Sequence, residues 1–336
     1  MINAAGGDTQ GHLPDIGIVV IGRNEGEKLL KCLQSTIGKA TIVVYVDSGS
    51  TDGSVAAARS RGATVVELDM KVPFTAARAR NAGFELLTAA SSEVRFVQLV
   101  DGDCEVVPGW LRTARDYLAE HADVAAVFGR RRERFPDGSV YNRMCDEEWD
   151  VPPGEVKSCG GDVMMRTSAL REVGGYRSRL IAGEEPELCV RLRQKGYRIV
   201  CLATEMTRHD AAIERFGQWW RRSVRSGHAF AEGAHLHGAP PERHWVRESR
   251  RIWFWGAGIP AAIFVATLAF GPIGLATALI YPAKVGRLYA RNKQHSNIPL
   301  AAAAFQVLGN FPEVLGQIRF HFNRLRCRES WIIEYK

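Results

Sequence analysis

Apolar and polar positions alternate in two patterns along the first two thirds of the chain. Helices are predicted at residues 29–37, 54–61, 74–88 and 110–121. Short runs rich in β-branched residues predict six strands, at residues 16–21, 40–46, 63–68, 95–100, 125–134 and 199–204. Strands that alternate with helices predict an α/β fold with a doubly wound, mostly parallel sheet and flanking helices. Ligands are expected at the carboxyl ends of its strands.

The same patterns divide the chain into three parts. We predict a flexible N-terminus over residues 1–14, one α/β domain over residues 15–240 and a helical, membrane-associated region over residues 241–336. Residues 136–153 carry turn residues and acids, so an irregular active-site loop is predicted there.

The third part contains residues 252–283, a run of 32 positions without a charge, whereas one membrane span needs about 20. Gly271-Pro272 interrupts the run, and basic residues flank both ends. Both ends would then stay cytoplasmic, which favours a hairpin that anchors the chain at the cytoplasmic face of the cell membrane. One tilted span and a buried helix pair of a soluble domain are the alternatives.

Composition limits the partners and the cellular environment that we expect for this chain. With 46% hydrophobic residues the chain can fill a core, and its net charge of +7 suits an anionic membrane surface as well as nucleic acid. Together with the apolar run at residues 252–283, this net charge leads us to expect that the partner is a membrane surface and not nucleic acid. Seven cysteines without metal-ligand spacing favour a reduced, cytoplasmic environment.

Acidic residues follow the strand at residues 95–100. Asp101-Gly102-Asp103 places two carboxylates at the ligand side of the sheet, where they can hold Mg2+ or Mn2+ to neutralise a diphosphate. In most proteins such a tripeptide is only a turn. Its position after a buried strand favours the metal site here.

Polar segments also follow the first two strands. Asp47 begins the segment 47–53, where its carboxylate can accept hydrogen bonds from a base or ribose while Ser50 or Asp52 caps the next helix. Arg23-Asn24-Glu25 follows the first strand, and alone it is an ordinary helix start.

Taken in order with Ala79-Arg80-Asn81-Ala82-Gly83, these segments resemble the inverting family 2 glycosyltransferases of GT-A fold. The resemblance covers about residues 16–227. It implies a UDP- or GDP-linked sugar as donor, with Asn24, Glu25 and Asp47 at the base and ribose. It also implies that the diphosphate, ribose and metal lie near Arg80, Asn81, Asp101, Gly102 and Asp103.

The resemblance continues at residues 160–166 and at Glu184-Glu185, which is similar to the family's Glu-Asp motif with Glu185 where Asp is usual. A base there takes the proton of the acceptor hydroxyl during an inverting attack. Glu185 is the predicted base, or Glu184 if the loop is shifted. The purely structural alternative pairs both acids with Arg191 or Arg193.

Two later segments complete the resemblance. Arg208-His209-Asp210 is similar to the segment that supplies a metal-ligating histidine, so His209 is a third candidate ligand. Residues 218–222 resemble the Gln-x-x-Arg-Trp motif of processive synthases, but Arg222 replaces the final Trp, which favours transfer of a single sugar.

The leading hypothesis is a metal-dependent inverting glycosyltransferase that acts on a saccharide or lipid-linked acceptor in polysaccharide or glycolipid biosynthesis. A catalytically silent nucleotide-sugar-binding scaffold on the same fold is the alternative. A nucleotidyltransferase is less favoured, because residues 22–26 poorly match a Gly-rich, basic, triphosphate-binding loop.

Overall fold

The computed structural model describes residues 11–327, which fall into two compact units. The first unit comprises residues 11–134, 149–179 and 184–210, and the second comprises residues 135–148, 180–183 and 211–327. Most of the predicted flexible N-terminus lies outside the described residues.

Nine strands form one sheet within the described residues: β1 Leu13–Gly22, β2 Ala40–Asp47, β3 Thr64–Glu67, β4 Phe96–Asp101, β5 Cys104–Val106, β6 Val124–Glu133, β7 Gly154–Val156, β8 Val163–Arg166 and β9 Arg198–His209. Their order is β3-β2-β1-β4-β8-β6-β9-β5, and β7 pairs with β9. The strands from β3 to β4 are parallel, as are β6 and β9, while β8 runs antiparallel between β4 and β6. The predicted α/β fold is confirmed.

The helices of the first unit are α1 Glu27–Thr36, α2 Ser54–Ser60, α3 Ala76–Ala90, α4 Trp110–Glu120, α6 Thr167–Glu172 and α7 Glu184–Gln194. Those of the second unit are α5 Val140–Glu148, α8 Phe216–His237, α9 Val246–Trp253, α10 Ile259–Phe270, α11 Ile280–Asn292, α12 Pro299–Leu308 and α13 Asn310–Leu325. The second unit also contains a π-helical turn, Phe254–Gly258, and two 3-10 segments, Pro136–Gly138 and Gly271–Leu279.

The parallel strands bring their polar ends to one edge. Ile16, Ile18, Val19 and Val20 of β1 are completely buried, as expected for a strand covered on both faces. Pairing places Gly22 beside Asp47 and Ile21 beside Asp101. The ends of β1, β2 and β4 therefore meet where ligands were predicted to bind.

The prediction of an irregular loop at residues 136–153 was wrong. Residues Val140–Glu148 form α5. Ser139 Oγ accepts a hydrogen bond from the Asn142 amide at 3.0 Å, which is the contact of a helix N-cap. Cys145 and Asp146 are buried on this helix, so capping and packing outweigh the turn residues that surround it.

The apolar stretch of the second unit folds back on itself. α10 ends at Phe270, and Gly271 adopts a φ of 63°, which confirms the break predicted there. A Cβ atom on Gly274 would lie 2.3 Å from the Ala266 carbonyl oxygen, and the Tyr281 hydroxyl donates to the Trp255 carbonyl oxygen at 2.7 Å. The two limbs therefore pack closely side by side.

The helical run Val246–Asn292, which contains this hairpin, is long and apolar enough to cross a membrane. The share of its most apolar 18-residue window that is buried is 6%, and the mean hydropathy of that window is 2.1. Its apolar side chains are therefore exposed, unlike those of a buried helix pair.

Candidate active site

Arg80 lies at the centre of a cluster of acids. α3 begins at a Thr75 cap, which accepts a hydrogen bond from the Arg78 amide, and carries Arg80 one turn later. The Arg80 side chain is 3% exposed, and its guanidinium nitrogens lie 2.9 Å from Asp101 Oδ1, 2.9 Å from Glu184 Oε1 and 2.8 Å from Glu185 Oε1. One cation thus faces three carboxylates, and the cluster has excess negative charge when all are ionised.

This crowding changes the pKa of Glu185. Burial, as the largest cause, and the charge on Glu184 together raise that pKa from 4.5 to about 7, although Arg80 lowers it. For Arg80, burial lowers the pKa, but the carboxylates around it raise it well above its ordinary value. A carboxyl group with a pKa near 7 can accept a proton efficiently at neutral pH.

The alternative in which Glu184 and Glu185 merely pair with Arg191 or Arg193 does not fit this geometry. Both acids stand at the first two positions of α7 and contact Arg80. Arg191 instead pairs with Glu187, at 2.8 Å between Nη2 and Oε2.

Asp103 and His209 lie next to each other. Because β5 pairs antiparallel with β9, with Cys104 opposite His209, Asp103 comes within 3.2 Å of the histidine, measured from Oδ2 to Nε2. His209 Nδ1 is buried and has no hydrogen-bond partner among residues 11–327.

These side chains fit a divalent cation. One ligand atom each from Asp103, Cys104 and His209 lie within 4.8 Å of one another, as do those of Asp101, Cys104 and Asp162. Carboxylate oxygen and imidazole nitrogen suit Mg2+ or Mn2+. Burial raises the pKa of the Cys104 thiol well above 9.0, so this group stays neutral and is a poor ligand for a hard cation.

Asp162 and Arg131 were not predicted as site residues. Asp162 Oδ1 accepts the Asp101 amide hydrogen at 3.0 Å, and its Oδ2 accepts the Thr207 hydroxyl at 2.7 Å and lies 3.1 Å from Arg131 Nη2. Arg131 also lies 5.4 Å above the Trp149 ring. Asp162 belongs to the segment at residues 160–166, to which the family resemblance extends. No feature of the sequence Arg130-Arg131-Arg132 distinguishes Arg131 from its two neighbours as a site residue.

The loops after β1 and β2 are tied together by the predicted nucleotide-binding residues. The Asn24 amide donates to Ser50 Oγ at 2.9 Å, and Asn24 Oδ1 accepts from the Thr51 amide at 2.7 Å. Gly102 donates its amide hydrogen to the Ile21 carbonyl at 2.7 Å, and a Cβ atom on it would lie 3.3 Å from Glu25 Cγ. Asn24, Glu25 and Gly102 therefore stand at one edge.

Asp47 accepts hydrogen bonds within its own loop, and its contact with a base or ribose stays a prediction. It is 2% exposed and accepts hydrogen bonds from the Tyr45 hydroxyl and the Gly49 and Ser50 amides. Asp52 holds the start of α2, as predicted, by accepting from the Ser54 amide.

Asn81 is engaged in a similar way. Its Nδ2 donates to the Tyr176 carbonyl at 2.8 Å and to Ser178 Oγ at 3.0 Å, and its Oδ1 accepts from the Tyr176 amide at 2.8 Å. Asn81 therefore anchors the 176–178 segment beside Arg80. Contact of Arg80 and Asn81 with a diphosphate stays a prediction.

Residues 17–173, just under half of the chain, match the model of the family described as Glycosyl transferase family 2. Over these residues the chain is similar to this family. The matched residues include the predicted site from Asn24 to Asp103 and Asp162. Glu184, Glu185 and His209 lie beyond the match, and the fold brings them to it.

The curated relatives that this chain matches are longer. It is 27% identical over 212 residues to the pre-mycofactocin glycosyltransferase of Mycobacterium tuberculosis, an alignment that spans 58% of this chain and 43% of the relative. It is 29% identical over 121 residues to glucomannan 4-beta-mannosyltransferase 1 of Oryza sativa subsp. japonica, over 33% of this chain and 23% of that protein. The chain thus spans less than half the length of these relatives.

Among solved structures, the fold is similar to that of the mannosyltransferase PcManGT from Pyrobaculum calidifontis in complex with GDP-Man and Mn2+. The TM-score is 0.62 at 19% sequence identity, and the match covers 93% of this chain and 89% of that one. This likeness confirms the predicted GT-A fold.

Proposed function

We propose that this chain transfers one sugar from a nucleotide-diphosphate sugar to an acceptor hydroxyl, with inversion at the anomeric carbon. The observation that carries the proposal is the Glu185 carboxyl, whose pKa is raised to about 7 within the cluster around Arg80. This cluster stands at the edge of the sheet where the sequence predicts the donor site, and its Arg80 and Asp101 lie within the family 2 match.

In the proposed reaction, Glu185 accepts the proton of the acceptor hydroxyl. The hydroxyl oxygen forms a bond to the anomeric carbon while the bond from that carbon to the phosphate oxygen breaks, and the nucleoside diphosphate leaves with the electron pair. Arg80 keeps Glu185 and Glu184 in place. Glu185 is preferred over Glu184 as the base because its side chain is 13% exposed, against 5% for Glu184.

Asp103 and His209, with Asp101, would hold a divalent cation, Mg2+ or Mn2+. Such an ion supplies positive charge that stabilises a departing diphosphate. The complex of the similar mannosyltransferase with GDP-Man and Mn2+ supports a divalent cation and makes GDP the first nucleotide to test, followed by UDP.

The acceptor is proposed to be a saccharide or lipid-linked molecule at the cytoplasmic face of a membrane. The exposed apolar hairpin within Val246–Asn292 supports membrane anchoring, which brings the chain to acceptors carried by lipids. Products of this kind are consumed in the synthesis of polysaccharides or glycolipids.

Calorimetric titration with GDP and then UDP, each with Mn2+ and then with chelator, tests the donor site. We expect one nucleotide to bind in a metal-dependent manner and Asp103→Asn to abolish this binding. Asp116→Asn, a change at an exposed acid of the same unit, is the matched control. If neither nucleotide binds, the donor assignment fails.

Transfer assays on the same samples test the base. We expect Glu185→Gln to bind the nucleotide as the unmodified chain does and to lose at least about a hundredfold in transfer rate. Intact transfer in both Glu185→Gln and Glu184→Gln would exclude a base at this position. Donor binding without any transfer by the unmodified chain would instead identify a silent scaffold.

A further inference from the structure

Basic side chains from two separate stretches of sequence line one cavity in the second unit. The cavity has a volume of about 320 Å³ and lies among α9, α11, α12 and the start of α13. Glu248 is the one acid in its lining, and the cations are Arg247, Arg251, Lys284 and Arg291. The lining therefore has net positive charge.

Two of these cations, Arg251 and Lys284, are placed to donate hydrogen bonds to an anion. Arg251 Nη2 is 3.6 Å from Glu313 Oε2, beyond hydrogen-bond distance, and Arg251 Nε is buried without a hydrogen-bond partner among residues 11–327. Lys284 Nζ lies 3.5 Å from the centre of the Trp255 ring. Buried donors of this kind are costly unless a ligand or water satisfies them.

The cavity also contains an acceptor. Asn310 is 1% exposed, and its Nδ2 donates to the carbonyl oxygens of Gln306 and Val307. Its Oδ1 is buried, and no described residue donates to it. A ligand with both negative charge and a hydroxyl group would satisfy the arginine and the asparagine together.

The location of the cavity indicates where such a ligand comes from. α9 precedes the apolar hairpin and α11 follows it, and the cavity is lined by Trp255 at one end of the hairpin and Lys284 at the other. If the hairpin enters a membrane, both ends lie at the level of the lipid headgroups, where aromatic and basic residues are enriched.

We infer that this cavity binds the phosphate group of an anionic lipid headgroup, through Arg251 and Lys284. The inference rests on the membrane anchoring in the proposed function and names the partner of the anchor. A phosphate oxyanion takes charge-assisted hydrogen bonds from both cations, and a headgroup hydroxyl donates to Asn310. Inorganic phosphate has the same chemistry, so the experiment separates the two sources.

The test is thermal unfolding of the full chain in a neutral detergent, titrated with dihexanoyl phosphatidylglycerol, dihexanoyl phosphatidylcholine or sodium phosphate at constant ionic strength. A ligand that binds the folded state raises the unfolding temperature by an amount that grows with the logarithm of its concentration above Kd. The cavity variant is Arg251→Gln with Lys284→Gln. The control variant, Arg250→Gln with Arg287→Gln, removes two exposed charges from the same two helices, outside the lining.

Phosphatidylglycerol is expected to stabilise the unmodified chain, with an apparent Kd at least tenfold weaker for the cavity variant and within twofold for the control. An equal shift with phosphate alone would assign the site to a free anion. Equal weakening in both double variants, or an equal shift with phosphatidylcholine, would overturn the inference. Arg247→Gln, a change at an exposed side chain of the lining, provides a milder variant if the double variant does not fold.

Metal-dependent nucleotide binding is measured on the same samples. Lipid binding without nucleotide binding would overturn only the proposed function, and the reverse result would overturn only this inference. A cavity variant that unfolds cooperatively at the temperature of the unmodified chain in the absence of ligand is folded, so its loss of lipid binding is local.

Discussion

At the scale of single residues, the protonation state of Glu185 governs the proposed chemistry. Its pKa is about 7 because burial and Glu184 disfavour its charge more strongly than Arg80 favours it. The base must be ionised to accept a proton, so transfer at saturating donor should slow as pH falls below 7. We expect a rate at pH 5 roughly a hundredfold below that at pH 8. A flat profile over this range would contradict the assignment.

The same shift predicts an effect on stability. The pKa of Glu185 in the folded chain lies above the ordinary value of 4.5, so the folded state binds more protons than the unfolded state between pH 4.5 and about 7. The free energy of unfolding therefore falls as pH rises through this window, and it stays at the lower value above about pH 7.

Glu185→Gln removes this ionisation. Thermal unfolding in neutral detergent should find the variant more stable than the unmodified chain by about 1–3 kcal/mol at pH 8, and equally stable near pH 4.5. Arg80 would keep two carboxylate partners in the variant. If the variant is less stable at pH 8, the ion pair of Glu185 with Arg80 stabilises the fold by more than burial and the repulsion from Glu184 destabilise it. Glu67→Gln, at an exposed ion pair, is expected to change stability by less than about 0.5 kcal/mol.

At the scale of elements, the turn before β8 brings backbone close to the site. A Cβ atom on Gly161 would lie 2.5 Å from Arg80 Nη2 and 2.9 Å from Asp101 Oδ2, whereas one on Gly160 would meet nothing within 4 Å. Any side chain at position 161 must therefore displace the ion pair at the centre of the cluster.

Gly161→Ala is expected to destabilise the fold by about 1–3 kcal/mol and to weaken nucleotide binding. Gly160→Ala is the matched control, expected within about 0.5 kcal/mol of the unmodified chain. Denaturant unfolding and calorimetry on both variants measure the difference. Equal behaviour of the two variants would mean that the ion pair moves aside at no cost.

The strands were predictable from sequence because parallel strands buried on both faces give uninterrupted apolar runs, as in β1 and β4. The acids after β4 were predictable because the strand ends there. α5 was missed because Ser139 acts as a cap among turn residues. The contact of Arg80 with Glu184 joins residues 104 positions apart, and no local pattern encodes it.

At the scale of the whole molecule, the chain combines an α/β unit similar to family 2 with an apolar hairpin, and the hairpin exposes apolar side chains. Side chains near the turn of the hairpin are highly exposed: Leu268 is 72% exposed and Ile273 is 80% exposed. Water disfavours such a surface, and a bilayer would cover it. The residues of the proposed donor site lie in the first unit, so membrane binding and nucleotide binding should separate on mutation.

Leu268→Asp with Ile273→Asp is expected to shift the chain from the membrane to the soluble fraction, because each buried Asp costs about 2.5–3.5 kcal/mol within a bilayer. Leu325→Asp is the matched control, since Leu325 is 84% exposed but lies outside the apolar run. Flotation with vesicles measures membrane binding, and GDP and UDP titration measures the donor site. If the double variant floats as the control does, the hairpin does not anchor the chain. If it is soluble and binds its nucleotide, anchoring and donor recognition are independent properties of the two units.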